Sequence, residues 1–224
     1  MKWEGRMEEM MAEALSDTDR AAILRQFSIA HSEGYNSTGS KVHALCEVGL
    51  EERRIPLLGN LQRFRDQGDA MCDIACCNLL VLSETSEAGR WFHRARDVGA
   101  AHGFFSVESR ACRGLGLVAM TEGRHEEGVA LLQNALAAAQ LNEMDDPKYE
   151  IGPLAALVDA LFTTDAIDEA EPLVLRFRET AKTQSEKDGF CFDELRSVLS
   201  TARLHEARGR PDEAAREVRA LLDL

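Results

Sequence analysis

Two arginine pairs are the residues best placed to do chemistry in this 224-residue chain. Arg110 and Arg113 stand three residues apart, and Arg196 and Arg203 seven apart. At helical spacing the members of each pair share a face. Guanidinium groups so placed can hold acidic side chains bidentately. The chain carries a net charge of −13, so the plainer expectation is that they pair with its own carboxylates, Asp159 or Glu108 among them. Cys72, Cys76 and Cys77 raise the question of a metal. Structural zinc takes four ligands, usually with C-x-x-C spacing, and no matching Cys or His pair follows. These thiols are expected to be buried structural cysteines, with Cys76 at a helix-packing position. His125-Glu126-Glu127 lacks the second histidine of a metalloprotease helix, and Gly114-Leu115-Gly116 lacks the lysine and hydroxyl residue of a phosphate loop. No constellation supports a catalytic role. No enzyme activity, metal or cofactor is expected.

Composition narrows the classes further. Hydrophobic residues make up 45% and aromatic residues 6%. A core rich in Ala and Leu favours close-packed helices. Nucleic acid is an unsuitable partner for so acidic a chain, because phosphates must be met by Lys and Arg. An anionic membrane surface is unsuitable for the same reason. The opening MKWEGRMEEMMAEALSDTD is interrupted by acids and has no signal-like apolar run. No stretch approaches the ~20 apolar residues of a membrane span. The six cysteines form no paired framework, which suits a reducing, cytoplasmic location.

The elements that position these residues repeat. Ile23, Leu57, Ala88, Gly128, Ala170 and Ala214 each open an apolar i, i+4, i+7 stripe. Its later positions are Phe27/Ala30, Leu61/Phe64, Phe92/Ala95, Leu132/Ala135, Val174/Phe177 and Val218/Leu221. Twelve residues before each anchor lies a contact residue of a preceding helix: Met11, Leu45, Cys76, Gly116, Val158 and Ala202. Turns are expected at Ser16-Asp17, Glu52–Pro56, Ser83, Gly123, Thr164-Asp165 and Gly209–Pro211. Pro56 and Pro211 fit helix starts, and Gly34, Gly68 and Gly99 fit helix stops. The anchors are 34, 31, 40, 42 and 44 residues apart.

Leu115-Gly116, Gly123, Gly128 and Ala135, with Ala88/Ala95, Ala170/Phe177 and Gly209/Ala214 in the neighbouring copies, resemble the tetratricopeptide repeat (TPR) family. The longer spacing from the third copy onward is similar to the roughly forty-residue variants of kinesin light chains and cell-polarity adaptors. The resemblance implies an all-α, right-handed α-solenoid of about six antiparallel helix pairs. The copies would occupy roughly 4–34, 38–68, 69–103, 107–141, 150–183 and 190–224 of a single domain, 1–224. It also implies that first helices line a concave groove suited to a peptide or helix of a partner protein. Groove positions would include Asp73, Cys77, Leu80, Arg110, Arg113, Leu117, Met120, Asp159, Phe162, Arg196 and Arg203. The Lys/Asn/Arg carboxylate clamp of chaperone-binding members is missing: Glu8, Ala12, Cys46, Ala70 and Asp73 stand there.

Repeat arrays usually finish on a polar capping helix. The last helix here instead ends in Leu221-Leu222-Asp223-Leu224. Leu221, Leu222 and Leu224 are expected to form an apolar edge that packs on a partner, on a second copy, or on further residues. The expected function is a protein–protein interaction scaffold, with a place as one subunit of a larger assembly or as a homo-oligomer left open. The alternative is a sensing module whose groove takes an acidic peptide or ligand.

Overall fold

Helix boundaries are set here by one local device used repeatedly. The computed structural model describes residues 2–14, 16–38, 40–141, 148–188 and 192–222. Among them all regular structure is helical: α1 (Lys2–Glu13), α2 (Asp17–Thr38), α3 (Lys41–Asn60), α4 (Phe64–Cys77), α5 (Thr85–His102) and α6 (Phe105–Thr121), then α7 (His125–Gln140), α8 (Lys148–Thr163), α9 (Ile167–Asp188), α10 (Phe192–Ala207) and α11 (Pro211–Leu222). A π-helical turn, Asn78–Leu82, follows α4 directly. No helix among the described residues is long and apolar enough to cross a membrane.

Five joints share one geometry. Gly103, Gly123 and Gly209 have φ near +70° to +78°, and Gln62 and Asp165 adopt the same left-handed conformation at +55° and +57°. The next residue's N–H reaches back along the preceding helix: Arg63 to Leu58, Phe104 to Gly99, Arg124 to Ala119, Ala166 to Leu161 and Arg210 to His205, all at 2.8–2.9 Å. This 6→1 bond satisfies a carbonyl that the helix end would otherwise leave open. In every case the following helix begins at the very next residue. The start of α2 is capped differently: Ser16 Oγ accepts the Asp19 N–H at 3.2 Å and donates to the Asp19 carboxylate at 2.7 Å.

The chain divides into two compact units, Met1–Val118 and Ala119–Leu224. In the first, α2 packs on α3, α3 on α4 and α4 on α5. Leu24, Leu58, Ile74, Phe92 and Val107 fill its core. In the second, α7 packs on α8, α8 on α9, α9 on α10 and α10 on α11, with α8 also touching α10. Leu132, Leu154, Leu157, Val158, Val174 and Phe177 are its innermost side chains. The stripes Ala88/Phe92/Ala95, Gly128/Leu132/Ala135 and Ala170/Val174/Phe177 are buried throughout.

The second copy departs from expectation. The turn expected at Glu52–Pro56 lies inside α3, a single helix, so the array holds eleven described helices and not twelve. The reason is a buried row, Ala44, Glu47, Leu50/Glu51, Arg54/Ile55 and Leu58, that keeps helical spacing straight through the supposed turn. Pro56 sits on the exposed side of that helix. Gly34, Gly68 and Gly99 end no helix either. Gly68 and Gly99 are close-approach positions: a Cβ would come within 2.5 Å of Val107 Cγ1 at the first and 2.9 Å of the Glu108 backbone nitrogen at the second. Leu45, expected as a packing contact, is exposed, and Cys76 is only partly buried.

Candidate protein-binding faces

The first unit gathers several charged residues around Asp73, on α4. Arg110, from α6, donates through Nη2 to Asp73 Oδ1 at 2.5 Å and lies 3.7 Å from Asp69. Arg25, from α2, donates through Nη1 to Asp73 Oδ2 and to Glu51 Oε1, both at 3.0 Å. Arg54 donates to the other Glu51 oxygen at 2.8 Å. Glu51 is 0% exposed, a position tolerable for a carboxylate only because two guanidinium groups meet it. Burial works against the Arg110 charge, but Asp73 together with Cys72 and Cys76 holds the guanidinium above its ordinary range. Burial also raises the Asp69 carboxyl, against the pull of Arg110.

Glu47, one turn before Glu51, is raised chiefly by burial, with a hydrogen bond from Cys77 opposing and Asp73 and Glu51 adding to the rise. Burial and the Glu47 carboxyl in turn push the Cys77 thiol up, and burial pushes Cys72 up to about 12 despite Arg110. The thiolate is the nucleophile and the metal ligand, so neither thiol is poised for such chemistry at neutral pH. Among the described residues no three His, Cys, Asp or Glu side chains converge as a metal set.

Next to this network the chain turns outward. The π turn after Cys77 carries Leu80 into solvent, 71% exposed. Its first residue, Asn78, is buried and donates from Nδ2 to the Ile74 carbonyl at 2.9 Å, while the Asn78 carbonyl accepts the Glu84 N–H at 2.8 Å. π turns recur at functional sites. Arg113 and Leu117 are half-buried and engaged within the fold.

The second unit has its own face, formed by α8 and α10. Asp159 stands between both arginines of the second pair: Arg196 Nη2 lies 3.2 Å from Oδ2 and Arg203 Nη1 3.9 Å from Oδ1. Arg196 also lies 3.7 Å from Asp193. The Arg203 guanidinium stacks over the Phe162 ring at 4.5 Å, a cation–π contact. Phe192, Arg196, Leu199 and Arg203 follow at i, i+4, i+7 and i+11, one face of α10. Phe192 is 69% and Leu199 48% exposed. Met120, half-buried, also falls in this unit.

Sequence reasoning misses Phe192 and Leu199, whose spacing from Arg196 is the available signal. It also misses Arg25, Glu47, Glu51 and Arg54, which as charged residues give no apolar pattern. Leu221 and Leu222 lie in α11 but their side chains are outside the described atoms, and Leu224 lies outside the described residues.

Several solved structures share this arrangement of helices. Two are crystal structures of a putative kinesin light chain with nearly identical TPR-like repeats from Podosopora anserina. One matches over 91% of this chain and 94% of its own, with 17% identity and a TM-score of 0.64. The other matches over 89% and 93%, also at 17% identity, with a TM-score of 0.62. The fold is a TPR-type helical repeat. BtubC (BKLC) from P. vanneervenii matches over 94% of each chain at 11% identity and a TM-score of 0.61. No protein-family model matches the sequence, and no curated protein is significantly similar to it.

Proposed function

We propose that this TPR-type chain is a protein-interaction scaffold and that the α8/α10 face takes an amphipathic, acidic segment of a partner protein. The observation that carries this reading is the alternation along α10 of exposed Phe192 and Leu199 with Arg196 and Arg203. Exposed apolar side chains supply contact area, and the flanking guanidinium groups supply orientation and charge selection. Arg196 and Arg203 share the exposed carboxylate of Asp159, and Asp193 also lies near Arg196; these exposed pairings use only some of the five donors of each guanidinium group and leave others for a partner's acids. In the first unit, Arg110 is already held by Asp73 and Asp69. There Cys77, Leu80 and Leu117 are proposed as an apolar contact beside Arg113, with Leu80 the exposed member. This distribution favours a protein segment over the alternative of a small acidic ligand gripped by both arginine pairs. A cytoplasmic scaffold without catalytic activity remains the reading.

The test is affinity purification from native extract in parallel with the wild-type chain and an L199D/R203E double variant, both verified as folded. Proteins captured by the wild type and lost with the variant are the expected outcome; an identical set from both overturns the α8/α10 assignment. The apolar edge expected of Leu221, Leu222 and Leu224 is proposed as a self-association surface, supported by Val218, 40% exposed in α11. Multi-angle light scattering should then show a dimer that Val218→Asp converts to monomer.

A further inference from the structure

A cavity of about 210 Å³ opens in the first unit where α2, α3 and the α3–α4 joint meet, behind the Asp73 network, from which it takes Arg25 and Arg54. Ala21, Ala22, Arg25, Gln26, Arg54 and Arg63 line it. Three of the six bear guanidinium groups and none is acidic. In a chain of net charge −13 this is a concentration of basic side chains from three separate elements, each paired with an acid just outside the lining: Glu51, Asp73 or Asp66.

The arginines are only partly occupied by the protein's own acids. Arg54 is buried, with its side chain 9% exposed, and its Nε has no hydrogen-bond partner. A buried donor without a partner is unfavourable, because water has been removed and nothing replaces it. Arg54 reaches Glu51 through Nη1. Arg25 reaches both Glu51 and Asp73 through that same single nitrogen, Nη1. Arg63 reaches Asp66 through Nη2 at 2.5 Å. A guanidinium has five N–H donors in a planar fork, so each of these arginines keeps donors beyond those contacts. Arg25 is part-exposed, and Ala22, Gln26 and Arg63 are exposed, which leaves the cavity reachable from solvent. Glu51 and Asp73 hold Arg25 and Arg54 in place without lining the cavity themselves.

We propose that this cavity binds a small phosphate-type oxyanion, held by Arg25, Arg54 and Arg63 with Gln26 as a neutral donor. Converging guanidinium groups with spare donors are the recognition chemistry of phosphate. The Arg54 Nε gains a partner when the anion enters. The ligand is either free phosphate or a phosphoryl group carried as a monoester, since both present the same oxygens.

The experiment uses the full chain and follows phosphorus-31 line broadening of inorganic phosphate and, in a second arm, of O-phosphoserine. Sodium chloride holds the ionic strength constant. Saturable broadening is expected with wild type. Two variants sit at exposed positions of the cavity lining: Arg63→Gln removes a cation, and Ala22→Glu places a competing carboxylate in the cavity. Each should weaken binding by about tenfold or more, the effect of losing one charged hydrogen bond. Circular dichroism checks that both stay folded. Broadening by phosphate alone assigns the free anion, and broadening by both probes assigns a phosphoryl group more generally. No saturable broadening with either probe, or equal binding by wild type and both variants, overturns the proposal.

Discussion

Gly114 shows how narrowly single residues are constrained in this array. A Cβ at that position would fall 2.3 Å from the Phe92 ring, and Phe92 is itself enclosed. Gly114→Ala should therefore destabilise the chain by about 1–3 kcal/mol, the usual cost of overpacking, read as a lowered urea midpoint. Glu47 carries a pH signature. Its folded-state pKa stands above the ordinary 4.5 because of burial, so the folded chain binds this proton more tightly than the unfolded chain. That contribution is complete below about pH 4.5 and is lost as pH rises through the raised value. Glu47→Gln is uncharged throughout. Its urea midpoint relative to wild type should rise as the pH increases above about 4.5, and a difference that does not change with pH would contradict the assignment.

At the scale of elements, α3 tests what its charged row contributes. Removing one member of a buried ion pair leaves an uncompensated charge and costs ~3–5 kcal/mol. Glu51→Ala should lose that much in denaturant titration, since it strands Arg54 and one contact of Arg25. A Glu51→Leu/Arg54→Met double variant should recover part of the loss. The same helix marks the limit of what the sequence reveals. The stripes opened by Ala88, Gly128 and Ala170 are legible because apolar residues at i, i+4 and i+7 have one strong use, burial. The inner row of α3 is not, because Glu47, Glu51 and Arg54 read as solvent-facing. Pro56 among them then reads as a breaker, although it lies on the exposed side of the helix. Gly68 and Gly99 are misassigned because residue type does not distinguish a glycine that permits positive φ from one that permits contact. In the candidate faces, Asp159, Arg196 and Arg203 are found together because their charges draw attention. Phe192 and Leu199 pass unnoticed beside them because exposed apolar residues look like packing residues in a string of letters.

For the whole molecule, nearest-neighbour packing means that damage should stay local. Phe177 is fully enclosed in the second unit, and Phe177→Ala should cost about 3–5 kcal/mol. Hydrogen exchange should accelerate in α8, α9 and α10, while α2 to α5 keep most of their protection; uniform acceleration would show a single cooperative block. The five joints at Gln62, Gly103, Gly123, Asp165 and Gly209 have a related consequence. Each closes one helix and admits the next with the same two residue positions and the same backbone bond, so they work as interchangeable couplings. The stretch from His125 to Ala166 begins just after one coupling and ends with another. A second copy of it inserted before Ile167 would be entered and left through couplings the chain already uses. The molecule can thus be lengthened by one helix pair without inventing a new connection, which makes its reach, and the number of faces it offers, a quantity that duplication alone can change.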